Sequence, residues 1–188
     1  MNSVNIYLEA NPNPNSLKFV ADRMLLDDKI IKDYPDAESA TDSQIAKKLF
    51  DFDYVERVFI MSNFITITKN NQVHWDAIKL ELRNFIKKYL EEGKPVVEIK
   101  SKQENVKSSN KEIDNKIIEI LDEYIKPAVE QDGGAIQFES FKKGVVKVSL
   151  QGACSGCPSS TFTLKNGIET MLKNMMGDKI KEVVALNG

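Results

Sequence analysis

The sequence predicts an α+β protein made of two small mixed domains joined by a flexible polar linker. Three observations predict it. The chain has 188 residues, long for one small domain and enough for two separate cores. Each half sets alternating, strand-like runs beside helical stretches with one apolar face. Between the halves, residues 98–110 lose the apolar pattern and fill with Lys, Ser, Gln, Glu and Asn. The expected organisation is therefore a domain at 1–97, a linker at 98–110 and a second domain at 111–188. A coil of that length holds its ends roughly 20 Å apart, which leaves the two domains free to move independently.

In the first half, Val4 to Glu9 alternates like a short strand, with Ile6 and Leu8 on one face. Asn11-Pro12-Asn13-Pro14-Asn15-Ser16 then turns the chain, because proline lacks a donor and asparagine favours turns. A second strand runs from Leu17 to Ala21. Asp22 to Thr41 is acidic and weakly patterned, which predicts irregular structure with one short regular piece. Asp42 or Ser43 caps a helix carrying Ile45, Ala46, Leu49 and Phe50. Val55 to Met61 and Phe64 to Lys69 form a hairpin about Ser62-Asn63. A helix from about His74 to Glu92 follows, with Trp75, Ile78, Leu82, Phe85, Ile86 and Tyr89 on its buried side, and Gly93 and Pro95 stop it.

The second half reads α-β-β-α-β. Its first helix runs from Glu112 to about Gln131, and Pro127 is expected to bend it or begin its end. Asp132-Gly133-Gly134 turns into a strand at Ile136 to Ser140, and Val145 to Leu150 returns with Val146, Val148 and Leu150 inward. Another helix places Leu164, Ile168, Met171, Leu172 and Met175 on one face, and a last apolar run holds Ile180, Val183, Val184 and Leu186. Phe162 stands apart from that inward stripe and is a candidate surface residue.

Composition excludes several classes. Net charge is −2, and 111–188 carries ten Lys and Arg against eleven Asp and Glu, so no basic half points to nucleic acid and no polybasic segment to anionic lipid. No apolar run is long enough to cross a membrane. The N-terminus shows neither a signal peptide nor an Arg/Ser-rich leader, and the expected location is cytoplasmic.

The only two cysteines are Cys154 and Cys157, a single C-x-x-C inside Gly152-Ala153-Cys154-Ser155-Gly156-Cys157-Pro158. A pair at that spacing on a turn can aim both sulfurs at one point, which suits a metal, a cluster or a reversible disulfide. Pro158 fits the first helical position, so the cysteines precede a helix N-terminus, where the dipole favours thiolate over thiol. Gly152 and Gly156 allow left-handed turns that bring N–H groups towards sulfur. The sole histidine, His74, lies in the other half beside Trp75 and reads as a structural or solvated residue. The methionines at 171, 175 and 176 read as core filler.

Here the residues resemble a known family. GACSGCPSSTFTLKNGIE, from Gly152 through Glu169, is similar to the C-terminal domain of NifU and the Nfu proteins, and Asp132-Gly133-Gly134 matches the glycine pair that family carries after its first helix. NPNPNSLKF at Asn11 to Phe19, FITITK at Phe64 to Lys69, and Trp75 resemble the Nfu N-terminal domain. One departure is Ala135, where the family often has an acidic residue. The resemblance implies an iron–sulfur cluster scaffold or carrier, not an enzyme, with Cys154 and Cys157 as ligands, upstream assembly proteins as donors and apoproteins as recipients. It favours a [4Fe-4S] cluster. A cluster needs four protein ligands and one chain supplies two, so the expectation is one cluster per homodimer. The alternatives are a thiol–disulfide module and a zinc-bridged dimer with four thiolates. Against the first, Pro158 is the last proline, so nothing downstream can be a cis-proline opposite the sulfurs.

Overall fold

The computed structural model describes residues 3–27, 30–98, 111–155 and 158–187. The chain divides into two compact units, Met1–Ser101 and Lys102–Gly188. The expected linker at 98–110 lies, Glu98 apart, outside the described residues.

The first unit is an antiparallel sheet of five strands, β1 (Ile6–Ala10), β2 (Ser16–Ala21), β3 (Ile31–Tyr34), β4 (Val55–Met61) and β5 (Phe64–Lys69), in the order β1-β2-β5-β4-β3. The short regular piece expected within 22–41 is β3, an edge strand whose pattern alone is too brief to read. Helices α1 (Gln44–Leu49) and α2 (Trp75–Glu91) close the core, where Phe19, Ile45, Leu49, Ile60, Ile65 and Leu82 are fully buried. Ser43 is the cap of α1: its Oγ accepts from the Ala46 amide at 3.2 Å and donates to the Val96 carbonyl at 2.7 Å. Its neighbour Asp42 instead accepts from Lys32 Nζ at 2.5 Å and Tyr34 Oη at 2.7 Å. Burial works to raise the Asp42 carboxyl, but those two donors outweigh it and hold it below the usual range.

The β4–β5 hairpin turns at Ser62, which takes a φ of 45°. That left-handed turn is clasped from outside, since the amides of Leu25 and Leu26 donate to the Ser62 carbonyl at 2.7 and 2.9 Å. The Asn-Pro run is stitched internally: Asn11 Oδ1 accepts from the Asn13 amide at 3.0 Å and from Ser16 Oγ at 2.8 Å, and Trp75 Nε1 donates to the Pro14 carbonyl at 3.0 Å. The Asn11 and Asn13 side-chain oxygens serve the turn itself, as the composition predicts, while Asn15 Oδ1 accepts from Lys69 Nζ of β5 at 3.5 Å.

The second unit follows the order α-β-β-α-β. Its first helix is continuous but not uniform: α3 (Lys111–Ile120) passes through a π-turn at Leu121–Ile125 into α4 (Lys126–Gln131). Pro127 was expected to bend this helix or begin its end; the helix runs on through it to Gln131 by way of the π-turn. The proline ring crowds the carbonyl four residues back, and one wide turn, with the Lys126 amide donating to the Leu121 carbonyl, moves the ladder past the obstacle. Strands β6 (Gly134–Lys142) and β7 (Val145–Gly152) pair antiparallel, and β8 (Glu182–Asn187) pairs parallel to β7. A parallel neighbour needs a long crossover, and α5 (Pro158–Met176) supplies it. One core results, with Val146, Val148 and Leu150 from the sheet against Ile117, Ile168 and Leu172 from the helices. Of the inward stripe expected on α5, Ile168 and Leu172 are fully buried, whereas Met175 turns outward. It sits in the last turn of α5.

Glu169 fastens α5 to β8. Its carboxylate accepts from the Val183 amide at 3.0 Å and from Lys173 Nζ at 2.5 Å. The Lys173 bond and then the Val183 amide hold this carboxyl below the ordinary glutamate range. Because the folded group titrates below the unfolded one, its stabilisation is complete at neutral pH and is lost as pH falls through the folded value. Glu169→Gln is expected to lower Tm at pH 7 and to converge on the parent protein as pH falls through the folded value, which thermal unfolding followed from neutral into acid pH will check.

Candidate metal centre

The candidate site lies where the β6–β7 ladder ends. Gly134 opens β6 directly opposite Gly152, the last residue of β7. Both flanks need left-handed backbone: Gly133 has φ 79° and Gly152 has φ 65°. From Gly152 the chain turns tightly, the Ser155 amide donating to the Gly152 carbonyl at 3.1 Å, and the Ala153 amide reaches across to the Gly133 carbonyl at 3.2 Å. The turn is thus tied both to itself and to the glycine pair.

Cys154 projects from this turn onto Gly134. A Cβ added to Gly134 would stand 2.8 Å from Cys154 Sγ and 2.6 Å from the Gln151 carbonyl, far inside contact distance. Gly134 is therefore the room that the sulfur occupies. Cys154 is only 6% exposed and shares the core of the second unit; Ala153 and Ser155 beside it are buried as well. The described chain resumes at α5, a helix of 19 residues that follows the cysteine pair in sequence. The expected ligand Cys157, with Gly156, lies outside the described residues.

Among the described residues there is no group of three His, Cys, Asp or Glu side chains that could hold a metal ion. His74 occupies the N-cap of α2 in the first unit, with no side-chain capping bond. Ala135, where an acidic residue was the resemblance's expectation, is fully buried and offers no surface to a partner. What sequence reasoning missed is the inward direction of Cys154 and its dependence on Gly134. The glycine pair was the available signal, but its contact with sulfur arises from a strand pairing across 20 residues of chain, Cys154 and Gly134 being local only in space.

The family described as "Scaffold protein Nfu/NifU N terminal" matches residues 6–93, and the one described as "NifU-like domain" matches residues 117–184. The chain belongs to the Nfu/NifU-like family. It is 37% identical over 179 residues to "NifU-like protein 4, mitochondrial" of Arabidopsis thaliana, covering 92% of this chain and 63% of the relative. It is 38% identical over 170 residues to the human "NFU1 iron-sulfur cluster scaffold homolog, mitochondrial", covering 89% and 66%. A solution NMR structure of a NifU-like protein from Saccharomyces cerevisiae aligns at 29% identity with a TM-score of 0.45, over 53% of this chain and 92% of that one. The chain spans just under two thirds of the length of the curated relatives it matches.

These relatives correct one expectation. They are named as mitochondrial proteins, which points to mitochondria rather than to the cytoplasm. The cytoplasmic reading rested on the lack of a signal or transit pattern, and such a lack specifies no compartment.

The close approach of Gly134 to sulfur yields a test. Gly134→Ala is expected to cost about 1–3 kcal/mol by overpacking and to speed alkylation of Cys154 at least about ten-fold, read in a Cys157→Ser background. Gly144→Ala, strained at φ 86° against Lys181 at the far hairpin, should lower Tm without changing that rate.

Proposed function

We propose that this Nfu/NifU-like chain is a scaffold and carrier of iron–sulfur clusters, holding a [4Fe-4S] cluster between two copies through Cys154 and Cys157 and passing it to recipient apoproteins. The observation that carries the reading is the turn at Gly152–Ser155, tied to the glycine pair and leading into α5, in a chain matched along both halves by scaffold-family descriptions. The cluster is cargo and not a resident cofactor. Four thiolates complete its shell and each chain has two cysteines, so one cluster belongs to a homodimer.

The chemistry of the donor set fits that cargo. Thiolates are the usual ligands of iron in clusters, and backbone amides at a turn and a helix start offset the charge of a sulfur-rich anion. Loading requires the Cys154 turn to swing its sulfur off Gly134. A ligand released in that way can be replaced by a recipient's thiolate one sulfur at a time, which a carrier needs. No substrate is turned over, so we class the protein as a carrier and not an enzyme. We take residues 1–97 as a separate domain that docks donors or recipients, and 111–188 as the domain that holds the cluster.

Anaerobic reconstitution with iron and sulfide tests the proposal. The parent protein should develop broad visible absorption near one cluster per two chains, with the Mössbauer signature of [4Fe-4S]. Cys154→Ala and Cys157→Ala should each retain less than about a tenth of it, as expected when one protein ligand of a cluster is lost. Full loading of either variant, or a colourless protein holding zinc tightly, would refute it.

A further inference from the structure

Five lysines of the second unit come together at the end of its sheet away from the cysteine turn. Lys142 and Lys143 form the tip of the β6–β7 hairpin, Lys147 follows on β7, and Lys179 and Lys181 lie between α5 and β8; all five are exposed. The segments are tied at Gly144, whose carbonyl accepts from the amides of Lys181 at 2.7 Å and Glu182 at 3.3 Å. A Cβ on Gly144 would stand 2.7 Å from Lys181 Cγ, so the stem of that lysine lies on the hairpin tip itself. Among the described residues the ion pairs of this unit are Lys126–Asp122, Lys165–Glu182 and Lys173–Glu169, and none of the five lysines takes part in one. Lys165 thus occupies Glu182, the acid next to Lys181, which leaves Asp178 and Glu139 as the exposed acids nearest in sequence. Counting charge along the chain finds no basic run, because the five come from three separate places in it.

We propose that this lysine end docks the protein on an anionic lipid surface. The inference goes beyond the scaffold reading and does not depend on it. The side chains select the partner. Residues 111–188 hold ten lysines and no arginine, and the exposed aromatics of the unit, Tyr124 and Phe162, lie outside the lysine segments. Protein interfaces are enriched in arginine and aromatic residues and depleted in lysine. Nucleic acids are read by arginine forks and stacked aromatic rings. A lipid surface asks for neither: it draws lysines as point charges, each worth roughly five-fold in binding. Beside them Met175, in the last turn of α5 and four residues before Lys179, is 44% exposed and gives an apolar side chain for the headgroup layer. The whole chain has a net charge of −2, so an anionic surface does not attract it overall, and the attraction must come from this end. Docking therefore orients the molecule. The hairpin tip and the cysteine turn are separated by the length of β7, Val145–Gly152, or about 23 Å at 3.3 Å per residue, so the cysteine turn is held away from the lipid.

Flotation of the full chain with vesicles tests this, comparing phosphatidylcholine alone with phosphatidylcholine containing about 30% phosphatidylglycerol. The parent protein should bind the anionic vesicles, leave the neutral ones unbound, and come off as salt is raised. A triple variant at the lysine end, Lys142→Gln with Lys143→Gln and Lys179→Gln, should bind at least about thirty-fold more weakly. A second triple variant, Lys47→Gln with Lys88→Gln and Lys116→Gln, changes net charge equally at exposed lysines elsewhere and should stay within about three-fold of the parent. Tm and circular dichroism of both should match the parent's. Equal losses in the two triple variants would reduce the effect to net charge and overturn the inference, as would a parent protein that does not prefer anionic to neutral vesicles. Lysine-dependent retention on polyglutamate or duplex DNA, without vesicle binding, would give this end to an acidic protein or a nucleic acid and overturn it as well.

Discussion

Cys154 can occupy its place only because Gly134, across the end of the β6–β7 ladder, has no side chain. The ideal Cβ position of Gly134 falls 2.8 Å from the sulfur. From that one close approach follow the pairing of Gly134 with Gly152, the two left-handed glycines on either side and the amide of Ala153 bonded back to Gly133. The strand ends, the turn and the thiol form one small unit, each part holding the others in register. A sulfur kept this way is sheltered from reagents and oxidants until its turn moves, because reactivity needs both thiolate and access.

The helix that follows has three faces with three tasks. Ile168 and Leu172 complete the core, Glu169 and the lysines at 165 and 173 bind the flank to β8, and Phe162, Asn166, Thr170 and Asn174 are exposed. Packing fixes the first, and a charged hydrogen bond to the Val183 amide fixes the second. Those two attachments hold α5 against the sheet.

The first unit contributes shape rather than chemistry. In its most unusual stretch, the Asn-Pro run, Asn11 and Asn13 brace the turn through their side-chain oxygens and the Pro14 carbonyl accepts from Trp75. The hairpin at Ser62 is likewise held by backbone donors from the neighbouring loop.

The sequence by itself determined the two-part organisation, the α-β-β-α-β order and the cysteine pair before a helix, because periodicity, turn residues and motif spacing are local properties. The hairpin at Ser62-Asn63 and the inward residues Val146, Val148 and Leu150 were legible for the same reason. The tertiary structure alone decided how Pro127 is absorbed by a π-turn, that Ser43 and not Asp42 caps α1, that β8 lies parallel to β7, and that Met175 faces outward. It alone set Cys154 against Gly134. These depend on which distant groups arrive at the same place, and a chain's local pattern does not encode what it will meet across a sheet.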